Sequence, residues 1–476
     1  MRARRDDTIA ALATAPGVGA VAIVRISGPA ARTIGAALTG VDARPRYAEL
    51  CTFRNAAGEP LDRGLVLYFP APRSYTGEDV VELHGHGGRV VSDALLTQAY
   101  ALGARPAEPG EFTLRAFLND KLDLLQAEAV ADLVASGSAA SARAALRSLD
   151  GQFSVQVATI QAALTQLRVK IEAWLDFPDE ELPFAAGEEC AAAIDALLDD
   201  LAALARAARS GAMLRDGLSV AIAGPPNAGK SSLLNRLAGY DAAIVTDIPG
   251  TTRDPLREHL ALEGLPVTVI DTAGLRESAD PVEREGLRRA RLEVGRADRV
   301  LWVVDVREPL DAALSAARSN VGADTPFTML RNKIDLARAE PDPPRVERSG
   351  REAPRPERSG RERTADGTSA APATDVPILE ISALTGAGID ALIAHLHSVA
   401  GYDSRSPGTF SARRRHLAAL ERARGRLVAA RTVLDTALEL AAEELRGAQS
   451  ALAELTGELT SDDLLGEIFA TFCIGK

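Results

Sequence analysis

The chain has 476 residues, 46% apolar and only 4% aromatic, with a formal net charge of −12. That length exceeds one hydrophobic core and suits two to four domains. The charge excludes a strongly basic nucleic-acid binder, leaving RNA to a local patch or a partner.

Three distant cysteines with no CxxC pair suit a reducing, cytoplasmic setting. No apolar run reaches transmembrane length, so no membrane role is expected. The basic N-terminus has no apolar h-region, so it does not read as a secretory signal.

In chain order, residues 1–120 alternate short strand-like runs (21–26, 64–69 and 79–83) with Gly/Pro turns, which predicts a compact α/β domain. His84 and His86 are metal-ligand types without a third ligand nearby, so a glycine-rich turn is expected there. Residues 121–215 become Ala/Leu-rich and helical in period, with a break expected at Pro178 and Pro183. Residues 216–402 read as a nucleotide-binding α/β unit. Helical pattern returns at 411–455, inside a last segment spanning 403–476. The simplest arrangement is a helical domain interrupted by an inserted domain, so the fold class is multidomain α/β plus all-α.

The inserted unit carries the chemistry. Residues 224–231 read Gly-Pro-Pro-Asn-Ala-Gly-Lys-Ser, a phosphate loop between an apolar run at 218–223 and a helical pattern. Its glycines let backbone N–H groups approach a polyphosphate, and the helix N-terminus adds positive potential. Asn227, Ala228, Gly229, Lys230, Ser231 and Ser232 line it. Lys230 is expected to reach the β- and γ-phosphates, and the Ser231 hydroxyl to bind Mg²⁺.

Asp271-Thr272-Ala273-Gly274, Asn332-Lys333-Ile-Asp335 and Ser382-Ala383-Leu384 follow, each after a strand-like run. Asp335 is the specificity element. A carboxylate only accepts hydrogen bonds, and guanine offers two N–H donors on one edge where adenine offers an acceptor. The expected nucleotide is therefore GTP.

Between these motifs lies Thr246-Asp247-Ile248-Pro249-Gly250-Thr251-Thr252, read as switch I, with Thr252 the candidate second Mg²⁺ ligand. Its hydroxyls and carbonyls, with Asn227, also suit a monovalent cation. Leu275 stands where many small GTPases carry a water-orienting glutamine; Arg276, Glu277, Glu283 and Glu285 are the nearby polar candidates. Residues 341–375 repeat Glu-Arg-Ser-Gly-Arg-Glu and cannot bury a core. They read as a disordered, solvated insertion, with a basic RNA contact as the alternative. Arg413-Arg-Arg415 is the other basic run offered to RNA.

Several stretches match one family nearly end to end. They are Val24-Arg-Ile-Ser-Gly28, Ser74-Tyr-Thr-Gly-Glu-Asp-Val-Val-Glu-Leu83 with His86-Gly-Gly88, Pro109-Gly-Glu-Phe112, Arg115-Ala-Phe-Leu-Asn-Asp-Lys-Leu-Asp123, the GTPase set, and the tail Phe472-Cys-Ile-Gly-Lys476. Together they resemble the MnmE (TrmE) family of tRNA-modification GTPases; the repetitive insert is the departure.

The resemblance implies a K⁺ ion held by Asn227, Thr246, Ile248 and Thr251, with Glu283 orienting the attacking water. It also implies that residues 1–120 dimerise the chain and bind 5-formyltetrahydrofolate or a related one-carbon folate through Arg25, Glu82, Lys121 and Lys476. Cys473 becomes a functional cysteine beside the folate; read from its residues alone it is a buried structural thiol. The implied activity is K⁺-stimulated GTP hydrolysis. Coupled to an FAD-bearing partner of the MnmG type in a heterotetramer, it modifies C5 of the wobble uridine of certain tRNAs. The GTPase motifs alone equally fit a ribosome-assembly or regulatory switch GTPase without modification chemistry.

Overall fold

The computed structural model describes residues 7–176, 184–240, 257–271, 297–321, 325–337, 376–402, 410–458 and 462–475. The chain forms two compact units. The first combines Met1–Arg215 with Arg405–Lys476, and the second is Asp216–Ser404.

The first unit opens with six strands: β1 (Ile9–Leu12), β2 (Gly19–Ser27), β3 (Glu49–Arg54), β4 (Pro60–Phe69), β5 (Val80–Gly87) and β6 (Arg105–Pro106). They form one sheet in the order β3-β4-β5-β2-β1-β6. Strand alternation sends Val24, Ile26, Leu83 and Val66 into a core shared with Ile34 and Leu95 of the helices Ala31–Thr39 and Arg89–Ala101. The opposite parity carries Arg25, Glu82 and His84. His84 and His86 lie within β5 rather than in the expected turn, because Val80 to His86 pairs in unbroken register with Val21 to Ser27 of β2, the register shifting only between Gly19 and Val21. Each meets a different carboxylate: His84 that of Glu82 at 3.1 Å, and His86 that of Asp62 at 2.8 Å. Among the described residues no three His, Cys, Asp or Glu side chains group as metal ligands.

Eight more helices complete this unit among the described residues: Glu111–Leu118, Leu124–Val134, Ala139–Leu149, Gln152–Asp176, Phe184–Asp216, Arg414–Val433, Leu438–Thr456 and Asp462–Ala470. The expected break at Pro178 and Pro183 falls outside the described residues; helix ends at Asp176 and resumes at Phe184. The single helical run expected at 411–455 is two antiparallel helices with a turn at 434–437. Phe153, Val157, Ile160, Leu164, Leu167 and Ile171 recur at the four-three spacing that keeps one helical stripe buried. That stripe packs in one core with Leu201 and Leu204 and with Leu420, Leu427, Leu445 and Leu452 from beyond the second unit. Phe153 and Phe410 stack with centroids 4.1 Å apart.

One polar cluster joins the two arms. Glu128, 1% exposed, accepts from Arg415 Nη2 at 2.7 Å and from His416 Nε2 at 2.7 Å. Its helix neighbour Asp132 takes Arg413 Nη2 at 2.8 Å, Arg215 Nε at 2.8 Å and the Ser411 hydroxyl at 2.6 Å. Two of the three arginines offered above to RNA are thus committed to buried carboxylates; Arg414 alone of the run is exposed. His416 Nδ1 accepts from the Arg413 backbone N–H at 3.0 Å, which fixes the neutral tautomer with Nε2–H donating to Glu128. Burial holds its pKa below the ordinary 6.5.

The second unit holds β7 (Leu218–Ala223), β8 (Arg257–Leu262), β9 (Leu265–Asp271), β10 (Arg299–Asp305), β11 (Phe327–Asn332) and β12 (Ile378–Glu380), in the order β12-β11-β10-β7-β9-β8. All neighbours are parallel except β8 and β9, a tight hairpin. Sequence reading missed β8. The parallel strands are buried on both faces, as Leu301, Trp302, Val303 and Val304 show. The insertion at 341–375 lies outside the described residues.

A proton taken up by unfolded His416 below about pH 6.5 is refused by the folded chain. Stability gained from this residue is therefore complete above that pH and falls below it, by up to roughly 1.4 kcal/mol per pH unit. The urea midpoint should drop between pH 7.5 and 5.5 by more in the native chain than in His416→Gln. Equal drops would show that His416 does not titrate on unfolding.

Candidate functional site

Parallel topology brings the carboxyl ends of β7, β10, β11 and β12 to one edge of the second unit, where open α/β sheets place ligands. The phosphate loop leaves β7 there and enters the helix Lys230–Tyr240. Asn227 adopts φ +62° and Gly229 φ +98°, curling the loop on itself. Lys230 Nζ donates to Gly224 O at 2.9 Å and Pro225 O at 2.8 Å. Ser231 and Ser232 are exposed in the first helical turn.

Asn332, 2% exposed, ties three loops together. Its Nδ2 donates to Ala228 O of the phosphate loop at 2.9 Å, and its Oδ1 accepts from Ala383 N at 2.9 Å. A Cβ on Gly229 would stand 2.3 Å from that Nδ2, so only glycine permits the approach. Asp335 Oδ1 accepts from the Ser382 hydroxyl at 2.5 Å, and the same hydroxyl oxygen accepts from Thr385 N at 3.1 Å. The base-side motifs, 47 residues apart in sequence, are thus hydrogen-bonded to each other.

Sequence reasoning missed Asp305 at the end of β10. Lys333, at φ +68°, places Nζ 3.0 Å from its carboxylate. Arg307 donates to both oxygens, at 2.9 and 2.7 Å. The Arg307 guanidinium, with Lys333 beside it, holds the Asp305 carboxyl well below the usual range. Asp271 ends β9 in register with Ile222. Thr246, Asp247, Ile248, Pro249, Gly250, Thr251, Thr252, Thr272, Ala273, Gly274, Glu283 and Lys476 lie outside the described residues. Of the implied cation ligands, Asn227 and Ser231 are within them.

A second constellation lies in the first unit. Arg25 and Glu82 face each other in register on β2 and β5, with Nε to Oε1 at 2.9 Å. The other Glu82 oxygen is met by His84 Nε2 at 3.1 Å. The Arg25 guanidinium lies 5.5 Å from the Tyr75 ring centre and 5.6 Å from that of Phe112, two rings that sequence reading did not single out. Strand period two was the available signal for His84, since it shares a face with Glu82.

The tail comes to the same place. Phe472 is buried against Phe469. Gly110 N donates to Cys473 O at 3.4 Å, and Arg25 Nη1 to Gly475 O at 3.4 Å. Cys473 is exposed rather than buried, because its flanking carbonyls, not its side chain, face the domain. Lys121 makes none of these contacts. It lines an open pocket of about 450 Å³ with Phe117, Asp123, Gln126, Thr456 and Glu458.

The sheet order and linked loops make the second unit a phosphate-loop G domain. Residues 8–121 match the family model for the GTP-binding protein TrmE N-terminus, and residues 124–473 match that for the MnmE helical domain. The tRNA modification GTPase MnmE of Alkalilimnicola ehrlichii is 54% identical over 472 residues, covering 98% of this chain and 99% of that protein. The namesakes from Nitrosococcus oceani and Vibrio cholerae are 52% and 47% identical, each with 99% of this chain and 98% or more of the relative covered. This chain belongs to the MnmE (TrmE) family of tRNA-modification GTPases.

Gly475 adopts φ +99°, and a Cβ there would stand 2.1 Å from Leu12 O. Gly475→Ala should therefore lift the tail from Arg25 while leaving global stability nearly unchanged. Amide exchange over 472–475 should accelerate by about tenfold, equivalent to roughly 1.4 kcal/mol. Unchanged exchange would mean that the tail is not docked there.

Proposed function

We propose that this chain hydrolyses GTP with K⁺ stimulation and, with an FAD-bearing MnmG-type partner, modifies C5 of the wobble uridine (U34) of certain tRNAs. The product is an aminomethyl or carboxymethylaminomethyl group. The observation that carries the reading is the convergence of Arg25, Glu82 and the Gly475 carbonyl at one place, in a chain that also bears a complete set of guanine-nucleotide motifs.

That convergence fits a reduced folate. The Glu82 carboxylate suits the donor edge of a pterin, and Arg25 with Lys121 and Lys476 suits carboxylates or carbonyls. Tyr75 and Phe112 offer apolar faces beside them. The folate supplies one carbon, and Cys473 stands beside it.

In the G domain, Lys230 binds the β- and γ-phosphates, and Ser231 with Thr252 holds Mg²⁺. Asn227, Thr246, Ile248 and Thr251 hold K⁺, whose charge acts where no arginine finger exists. Glu283 orients water, and Asp335 reads the base. Residues 1–120 pair two copies of the chain. Residues 121–215 and 403–476 form the helical frame, 216–402 is the G domain, and the assembly with the partner is a cytoplasmic heterotetramer.

The test uses purified chain and partner on tRNA from a strain lacking the endogenous enzyme, with mass spectrometry of wobble nucleosides. The modified nucleoside should appear in KCl with GTP and a one-carbon folate, and fall sharply in NaCl. Equal yields in both salts would remove the cation, and no product in either would overturn the modification reading.

A further inference from the structure

The base-side loop at 382–386 is held from one side by Asn332 and Asp335. Its other side meets the helix that starts at the phosphate loop. Arg236, six residues into that helix from Lys230 and half-buried, donates Nε to Ala383 O at 3.0 Å and Nη2 to Leu384 O. One ionised, rigid fork thus takes two consecutive carbonyls, an arrangement that fixes two peptide planes at once. Gly386 leaves the space beside it open, with its nearest Cβ approach 3.8 Å from Arg236 Nη1.

We propose that Arg236 is a positioning residue for guanine recognition. In a trans peptide the C=O of one residue and the N–H of the next point in opposite directions. With Ala383 O drawn to Arg236, Leu384 N–H is turned away from the helix, free to donate to a ligand acceptor. Ala383 N–H is already taken by Asn332. Leu384 N–H is then the donor for the 6-oxo group of guanine, while Asp335 takes the two N–H donors of the same base. The arginine also links the base loop to the helix that carries Lys230, so one element supports both ends of the nucleotide.

This rests on the guanine-nucleotide reading of the domain, and binding of GDP by the native chain tests that reading separately. The experiment is the dissociation rate of GDP and of 6-thio-GDP, a weaker acceptor at position 6, from the full-length chain. Arg236→Ala should release GDP about tenfold faster and change 6-thio-GDP by less than about twofold, so that preference for the oxygen is lost. Arg236→Lys keeps the charge but can reach fewer carbonyls, and should recover part of the preference; it also serves if the alanine variant folds poorly. Equal acceleration for both ligands would make Arg236 a general support of the loop, and no acceleration for either would remove it from recognition. Either result overturns the proposal.

Discussion

A carboxylate buried to 1% exposure, Glu128, lies where the chain departs toward its inserted domain and where it returns. Its partners Arg415 and His416 are 287 and 288 residues further on. Desolvating such a charge is costly, and moving it away from these partners would leave it uncompensated, a penalty of roughly 3–5 kcal/mol. The cluster therefore rejects any arrangement in which the late helices pack elsewhere. The apolar stripe around Phe153 and Leu164 supplies general cohesion, but such stripes tolerate sliding; the pairing of Glu128 and Asp132 with Arg413, Arg415 and His416 specifies register.

Once register is set, the end of the chain has one destination. Helix Leu438–Thr456 runs antiparallel to Arg414–Val433; Phe469 of the helix Asp462–Ala470 and Phe472 just beyond it then cluster with Leu114 and Leu124. That contact delivers Gly475 to Arg25 across 450 positions of sequence. A site assembled this way reports on the folded state of both arms, since neither β2 with β5 nor the tail completes it alone.

The phosphate loop and the base motifs were legible because each is local: glycine, lysine and hydroxyl within eight residues, between a strand run and a helix pattern. Their mutual wiring was not. Nothing in the spacing says that Asn332 spans from Ala228 to Ala383, or that Lys333 leans on Asp305. The Arg25–Glu82 pair was reachable through family resemblance, and strand register then explains it. Arg413-Arg-Arg415 was misread as a free basic run, since a sequence shows charge but not the buried carboxylates that consume it. His84 and His86 were misplaced in a turn because the glycines around them signal bends, whereas here they fit a strand whose neighbours press close.

The measurement that bears most directly on this account is a double-mutant cycle between Glu128→Gln and Arg415→Gln, read by urea unfolding of the full chain at pH 7.5. A buried pair joining the two arms should show a coupling of roughly 2 kcal/mol, with the double variant less destabilised than the sum of the two single variants. Additive losses with no coupling would mean that the Glu128–Arg415 pair does not hold the arms together, and would contradict its role in setting their register.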